Sequence, residues 1–457
     1  MFRVDHGRTL SPARATIVHN FVSRHSGVDP VLLLVAFAAL LLTAASSLGQ
    51  TPPANTSTGE PWSRIPPAGF RSVGAPQFVA VTFDDNFGLA PPGSVGGVKA
   101  IIEFYAGKRN PAGTGEAARF DDASIRATFF GTSIYVVAPS KRVLGGMRGE
   151  DQQGRNLAAW KSAVTAGHEM ADHTVNHFNG GTAIISRKKC CRARDWSVAK
   201  WSAEIASCKE TLTDPRSGID AKDVVGFRAP FLSHNDEMFT ALEAIGFAYD
   251  SSVPNCFGEK EDGTNCSWPY TLGQGSPDAD AFVRKLKTED LQPQLSPPTI
   301  KRHPGLWEVP VTTLIVPPDS AASQYRFNTG LRERIAARAP FPYPSLYEAS
   351  TGKITGLDYT LLVDAGVTGD EMRAILEYNL DLHLSGNHSP LIFVAHAHLY
   401  AFSNPKDNPD TPSDAIRKAR WEGLTAFISY ALTKQEVRIV AVGDVLKWIQ
   451  AALLGKF

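Results

Sequence analysis

Val79-Ala80-Val81-Thr82-Phe83-Asp84-Asp85 is the stretch that decides the reading of this chain: an apolar run, beginning at Gln77, that ends in two adjacent carboxylates. The run reads as a buried strand. Neighbouring residues on a strand point to opposite faces, but at a strand end the chain turns, so Asp84 and Asp85 can reach one cavity in different roles. One carboxylate can bind a cation while the other stays free as a base. Three further segments carry complementary groups. His173-Thr174-Val175-Asn176-His177 offers two imidazoles four residues apart, on one face of a helical turn or across a tight loop. Arg228-Ala229-Pro230-Phe231 offers a cation. His396, directly after the apolar run Leu391-Ile392-Phe393-Val394-Ala395, offers a proton donor; His398 alternates with it along the strand end, and His396 is preferred. Two neutral imidazoles and one carboxylate make a catalytic zinc set with a position left open for water. The same set also suits iron(II).

Working outward, apolar runs alternate with helix-like stretches. Strands are expected at Gln77 to Thr82, Arg126 to Phe130, Val224 to Phe227, Trp307 to Leu314, Leu391 to Ala395 and Val437 to Val442. Helices are expected at Val98 to Ala106, Leu157 to Ala166, Val198 to Leu212, Asp236 to Ile245, Thr368 to Leu384, Ala415 to Leu432 and Asp444 to Leu454. Repeated β–α order argues for a parallel sheet, and chemistry-bearing motifs at several strand ends argue for a barrel with its site on the C-terminal rim. The stretches 180–196, 255–300 and 315–365 lack periodicity and read as long loops over the site, carrying Trp268, Tyr270, Tyr325, Phe341, Tyr343 and Tyr347 as sugar-stacking or packing residues.

The chain's 46 basic and 46 acidic side chains cancel, and no basic stripe points to nucleic acid. A neutral balance suits an uncharged polymer. Val31 to Thr43 is apolar, with Arg3, Arg8, Arg14 and Arg24 upstream and small residues following to Gly49, as in a secretory signal. Extended to Leu48, residues 31–48 approach membrane-spanning length, so an uncleaved anchor is the alternative. Either way the expected localisation is secreted or extracytoplasmic. The expected organisation is a signal or anchor over 1–49, a Pro/Thr/Ser-rich linker over 50–68 and one catalytic domain over 69–457. Five cysteines form no C-x-x-C pattern; Cys256 and Cys266 flank a loop and could bridge, and one of Cys190 and Cys191 could bridge Cys208. Sequons stand at Asn55, Asn265 and Asn387.

In combination the motifs resemble those of the polysaccharide deacetylases of the NodB-homology type (carbohydrate esterase family four). Val79 to Asp85 resembles the family's first motif, Gly167-His168-Glu169-Met170-Ala171-Asp172-His173-Thr174 on to His177 its second, and Gly226 to Phe231 its third. Ala127-Thr128-Phe129-Phe130-Gly131, Gly246-Phe247-Ala248-Tyr249-Asp250-Ser251-Ser252 and Leu306-Trp307-Glu308-Val309-Pro310 support it, near the chitin-deacetylase-like members. The resemblance covers about residues 70 to 455. It implies a distorted, incomplete (β/α) barrel, with Asp85, His173 and His177 as ligands to a divalent metal, expected to be Zn2+. It implies Asp84 as general base, Arg228 as its orienting partner, the backbone N–H of Phe231 as an oxyanion donor and His396 as general acid. Phe231 stands where many relatives have Tyr. The Asp that often pairs with the acid histidine has no evident counterpart beside Trp307, which is expected either to line the acetyl pocket or to be core. The implied activity is metal-dependent N-deacetylation of a chitin-like β-linked N-acetylglucosamine polymer. O-deacetylation of a polysaccharide such as xylan is the alternative, and a glycan-binding protein without turnover the third reading. No G-x-S-x-G elbow supports a serine esterase.

Overall fold

The computed structural model describes residues 59–86, 97–136, 150–182, 192–285, 299–338, 347–400 and 413–456. The expected signal or anchor, the first part of the linker, Asn55, Cys190, Cys191, Phe341 and Tyr343 lie outside them. No helix among the described residues is long and apolar enough to cross a membrane.

The strands are β1 (Gln77–Asp85), β2 (Thr128–Gly131), β3 (Glu169–Asp172), β4 (Gly226–Phe227), β5 (Tyr249–Asp250), β6 (Pro254–Asn255) and β7 (Tyr270–Leu272). They continue as β8 (His303–Glu308), β9 (Val311–Thr312), β10 (Leu314–Ile315), β11 (Tyr347–Glu348), β12 (Lys353–Ile354), β13 (Leu391–His396) and β14 (Val437–Ile439). One sheet runs β13-β1-β2-β3-β4-β5-β8-β7, with β14 on the start of β1. Its pairs are parallel except β7 with β8. Helices lie between successive parallel strands, as at Gly97–Tyr105, Val198–Leu212 and Asp236–Ile245. The result is a distorted, incomplete (β/α) barrel. β8 and β13 do not pair. Instead the free edge of β13 is satisfied by Thr312, whose hydroxyl accepts from Ile392 N–H at 2.9 Å, and by the Gly356 carbonyl, which accepts from Val394 N–H at 3.1 Å.

Alternation along the strands builds two cores. Val79, Val81, Phe83, Phe129 and Phe393 pack outward against the helices, whereas Phe78, Ala80, Phe130, Ala171, Tyr249, Trp307 and Ile392 pack together on the opposite, inner face. Gly226 is required here, because a Cβ on it would lie 2.1 Å from the Tyr249 ring. Register then sets the rim. Asp84 pairs with His396, Asp85 with Gly131, Gly131 with Asp172 and Asp172 with Phe227, so the C-terminal ends of five strands are level.

Several expectations change. The strand expected from Trp307 to Leu314 ends at Glu308, two residues before Pro310, which has no N–H for a ladder. Residues 255–300 and 315–365 contain short elements of two to nine residues, such as β7 and the helix Pro277–Lys285, too short to leave a period in sequence. Trp268, Tyr270, Tyr325 and Tyr347 in these stretches are buried packing residues. Part of the expected linker packs on the barrel: Trp62 donates to Asp278 at 3.1 Å, and Thr271 N–H donates to the Glu60 carbonyl at 2.8 Å. Asn387 is a structural amide, donating to the Arg64 carbonyl at 2.7 Å and the Cys266 carbonyl at 2.6 Å. Cys256 and Cys266 are disulfide-bonded, but Cys208 is a free buried thiol, enclosed on the inner side of its helix with its sulfur 3.4 Å from the Gly131 carbonyl.

The disulfide closes a short loop, so its stabilisation is modest. The double variant Cys256→Ser/Cys266→Ser should lose about 2–3 kcal/mol of unfolding free energy in a urea titration. An unchanged midpoint would show that the loop is held by its packing alone.

Candidate active site

β1 delivers its two carboxylates by different means. Asp84 continues the inner face of Phe78, Ala80 and Thr82. Asp85 would point outward by alternation, but it and Asn86 take φ of 66° and 55°, and the chain turns back over the rim. Asn86 holds that turn: its Nδ2 donates to the carbonyls of Phe83 and Phe130, both at 2.8 Å, and its own carbonyl accepts from Trp160 at 3.0 Å. Asn tolerates the left-handed region better than most residues.

After β3 the chain forms a tight loop rather than a helical turn, with Thr174 at φ 66° and His177 at φ 51°. The two imidazole rings lie 5.0 Å apart. His173 Nδ1–H donates to the Arg228 carbonyl at 2.7 Å, which leaves Nε2 as the lone-pair nitrogen facing the carboxylates. His177 Nε2 is 3.3 Å from Asp85 Oδ1. One ligand atom each from Asp85, His173 and His177 lies within 4.8 Å of the others. A carboxylate, two imidazoles and a hydrogen-bonded outer shell fit a divalent cation.

The third motif fixes the base candidate. Arg228 is 0% exposed. Its Nη1 donates to Asp84 Oδ1 at 2.8 Å and Thr82 Oγ1 at 2.6 Å, and its Nε and Nη2 donate to the carbonyl and hydroxyl of Ser251 at 2.8 and 2.9 Å. The guanidinium carbon also sits 4.1 Å from the Phe130 ring centroid. Phe231, at φ 62°, packs its ring 4.9 Å from that of His177, tilted by 56°.

At the end of β13, in register with Asp84, stands His396, and its partner is one that sequence reasoning missed. Asp358, fully buried, accepts from His396 Nδ1–H and from the His396 backbone N–H, both at 2.7 Å. Burial alone would lower the His396 pKa, but Asp358, with Asp85 and Asp84 beyond it, raises it to about 9. His398 sits 5.6 Å away ring to ring and goes the other way, to about 3, through burial and the charge of His396. Of the two, His396 carries the proton at neutral pH. Burial likewise lowers His173 to about 4, so its imidazole is neutral at pH 7. Burial opposes ionisation of Asp85, yet the neighbouring histidines hold it down at about 2. Trp307 is 1% exposed and packs in the inner core with Tyr249 and Trp268.

Two carboxylates, two imidazoles, a guanidinium and an imidazolium–carboxylate pair therefore stand together on the C-terminal rim of an incomplete barrel, a set able to supply a base, an acid and metal ligands. The family model described as polysaccharide deacetylase matches residues 73–249 of this chain. The chain is 23% identical over 384 residues to chitin deacetylase 1 of Bombyx mori, covering 82% of this chain and 51% of that one. The chain therefore spans about half the length of this curated relative. Among solved structures it is similar to a probable polysaccharide deacetylase from Pseudomonas aeruginosa PAO1, at 13% identity and TM-score 0.37 over 84% of this chain and 93% of that one. It is also similar to a family 4 carbohydrate esterase from Streptomyces lividans, at 17% identity and TM-score 0.23 over 39% and 64%.

The raised pKa of His396 has a defined sign. Its contribution to stability is complete below the ordinary histidine value of 6.5 and is lost as pH rises through about 9. In metal-free protein, an imidazole proton resonance of His396 should titrate near 9, and Asp358→Asn should bring the midpoint down. A midpoint unmoved by that substitution would remove Asp358 as the cause.

Proposed function

We propose that this protein is a metal-dependent N-deacetylase acting on a β-linked, chitin-like N-acetylglucosamine polymer outside the cytoplasm, with residues 69–457 as its catalytic domain. The observation that carries the reading is that the buried Asp358–His396 pair and the Asp84–Arg228 pair stand on neighbouring strand ends, Asp84 in register with His396, so that an acid and a base are supplied side by side on one rim. An amide is a poor electrophile with a poor leaving group, so both are needed.

Asp85, His173 and His177 would hold the cation, expected to be zinc. When bound, a divalent cation lowers the pKa of a water and polarises a carbonyl. Asp84 takes the proton of the attacking water. Arg228, itself anchored to the Thr82 hydroxyl, holds Asp84 in place and occupies Oδ1, the carboxylate oxygen that is not required as base. The Phe231 backbone N–H serves as a donor to the developing oxyanion, a role that survives the absence of a tyrosine phenol. His396, kept protonated by Asp358, gives its proton to the departing nitrogen. Trp307, enclosed in the inner core, supports the floor beneath this machinery.

The amide reading is favoured over the ester reading by the raised pKa of His396, since an alkoxide leaves with less help than an amine. The intact base and ligand set speaks against binding without turnover. Export is supported by the apolar segment over residues 31–48 and by the Cys256–Cys266 disulfide, which belongs to an oxidising compartment.

Incubation with chitopentaose and zinc should release acetate, and a chelator should abolish the release. Asp84→Asn should lower kcat by about 10²–10⁴-fold. His396→Ala should damage amide turnover far more than turnover of an acetyl ester. Absence of acetate from every N-acetylated glycan, with metal supplied, would overturn the proposal.

A further inference from the structure

Two carboxyl groups stand face to face inside the barrel wall. Asp250 and Glu308 are paired in register across the parallel strands β5 and β8, and both are 0% exposed. Tyr249 and Trp307, one residue earlier on each strand, face the inner core. Alternation therefore turns Asp250 and Glu308 together to the other side, beside Tyr270 of β7. Two buried carboxyl groups with no cation between them cannot both be ionised. Arg228 bears on Asp250 through its charge, but its hydrogen bonds go to Asp84, Thr82 and Ser251. Asp278 of the helix Pro277–Lys285 and Tyr270, which also face Glu308, bring no positive charge.

The hydrogen bonds place the proton. Both oxygens of Asp250 accept from Ser252: Oδ1 from its hydroxyl at 2.8 Å and Oδ2 from its N–H at 2.9 Å. Glu308 Oε1 accepts from Val253 N–H at 3.1 Å. Glu308 Oε2 is the atom left over, buried and with no donor. A proton on Oε2 turns it into a donor to Asp250, the side chain it meets in hydrogen-bonding contact, and all four oxygens are then satisfied. Burial and the charge of Asp250 accordingly push Glu308 well above the usual carboxylate range. Burial raises Asp250 only to about 6, because hydrogen bonds from Glu308 and Ser252 favour its ionised form.

What the pair holds is the loop over residues 251–253, which cradles Arg228. Ser251 accepts from the guanidinium through its carbonyl and its hydroxyl. The Ser252 hydroxyl, fixed by Asp250, accepts from Ala229 N–H at 2.8 Å. Val253 is fixed by Glu308. We propose that Glu308 is a neutral carboxylic acid that donates to an ionised Asp250, and that this one-proton pair positions Arg228 and, through it, Asp84. The positioning role rests on the reading of Asp84 as the base of a deacetylase. Both residues act through Ser251 and Ser252 rather than on the substrate. Ionisation of Glu308 would set two negative charges side by side and loosen the loop.

Glu308→Gln keeps a donor for Asp250 and an acceptor for Val253, and it cannot ionise. Urea unfolding of the full chain, wild type against Glu308→Gln, is followed from about pH 5 to pH 8. A group whose folded pKa is raised stabilises fully below its ordinary value, 4.5 for Glu308, and loses that contribution as pH rises toward the folded value. Wild type should therefore fall behind Glu308→Gln by up to about tenfold in the folding equilibrium constant for each pH unit. A ratio that stays constant with pH overturns the assignment of the proton. Kinetics on chitopentaose test the positioning role. Glu308→Ala should lower kcat by about ten- to a hundred-fold, the size of a misplaced catalytic group, with little change in KM. Glu308→Gln should restore kcat. A folded Glu308→Ala with wild-type kcat overturns the positioning role, and so does a Glu308→Gln as impaired as Glu308→Ala. If wild type releases no acetate from any N-acetylated glycan, the deacetylase reading fails and the positioning role falls with it, while the urea titration still decides where the proton lies.

Discussion

The ion pair between Arg228 and Asp84 is the constraint on which the rest depends. Neither charge can be left in the barrel interior by itself: removing one partner of such a pair costs about 3–5 kcal/mol because the other stays buried without compensation. The arginine donates to Asp84, Thr82 and both oxygens of Ser251, and its face rests on Phe130. It thereby ties β1 to the end of β4 and the loop after β5. The same residue's carbonyl accepts from His173 and orients that imidazole. One side chain and its own backbone thus position Asp84 and His173 together, which makes packing of the barrel and preparation of the proposed site a single event.

Part of the backbone strain lies at the proposed site. Asp85, Asn86, Thr174, His177, Phe231 and Leu232 all have positive φ without being glycine. Each conformation costs stability and persists only where the surroundings hold it. Asn86, pinned by three hydrogen bonds, and Thr174, whose backbone N–H donates to Asp172 and whose hydroxyl accepts from His177 N–H, supply that hold. The gain is that residues adjacent in sequence converge on one cavity instead of alternating away from it.

Much of this was legible in the sequence, for identifiable reasons. The β1 run is long and apolar, and the helices Val198–Leu212 and Asp236–Ile245 begin at polar caps, so composition located them closely. Parallel register then levels Asp84, Asp172, Phe227 and His396 whatever the loops do. Asp358 was not legible. It lies 38 residues before His396, in a stretch of very short elements with no period, and a single aspartate there carries no local mark. The left-handed turns also left no trace, since the residues that adopt them are not glycines. The part of residues 50–68 that packs on the barrel reads as linker because its contacts are made by a few isolated side chains, Trp62 and Arg64 among them.

The central claim is that Asp85, His173 and His177 hold one divalent cation. Calorimetric titration of chelator-treated protein with zinc tests it most directly. The account predicts one tight site per chain in the wild type, and a large loss of affinity in His173→Ala and His177→Ala with the fold retained by circular dichroism. A wild type that takes up no zinc, or variants that bind it as tightly as wild type, would contradict the account.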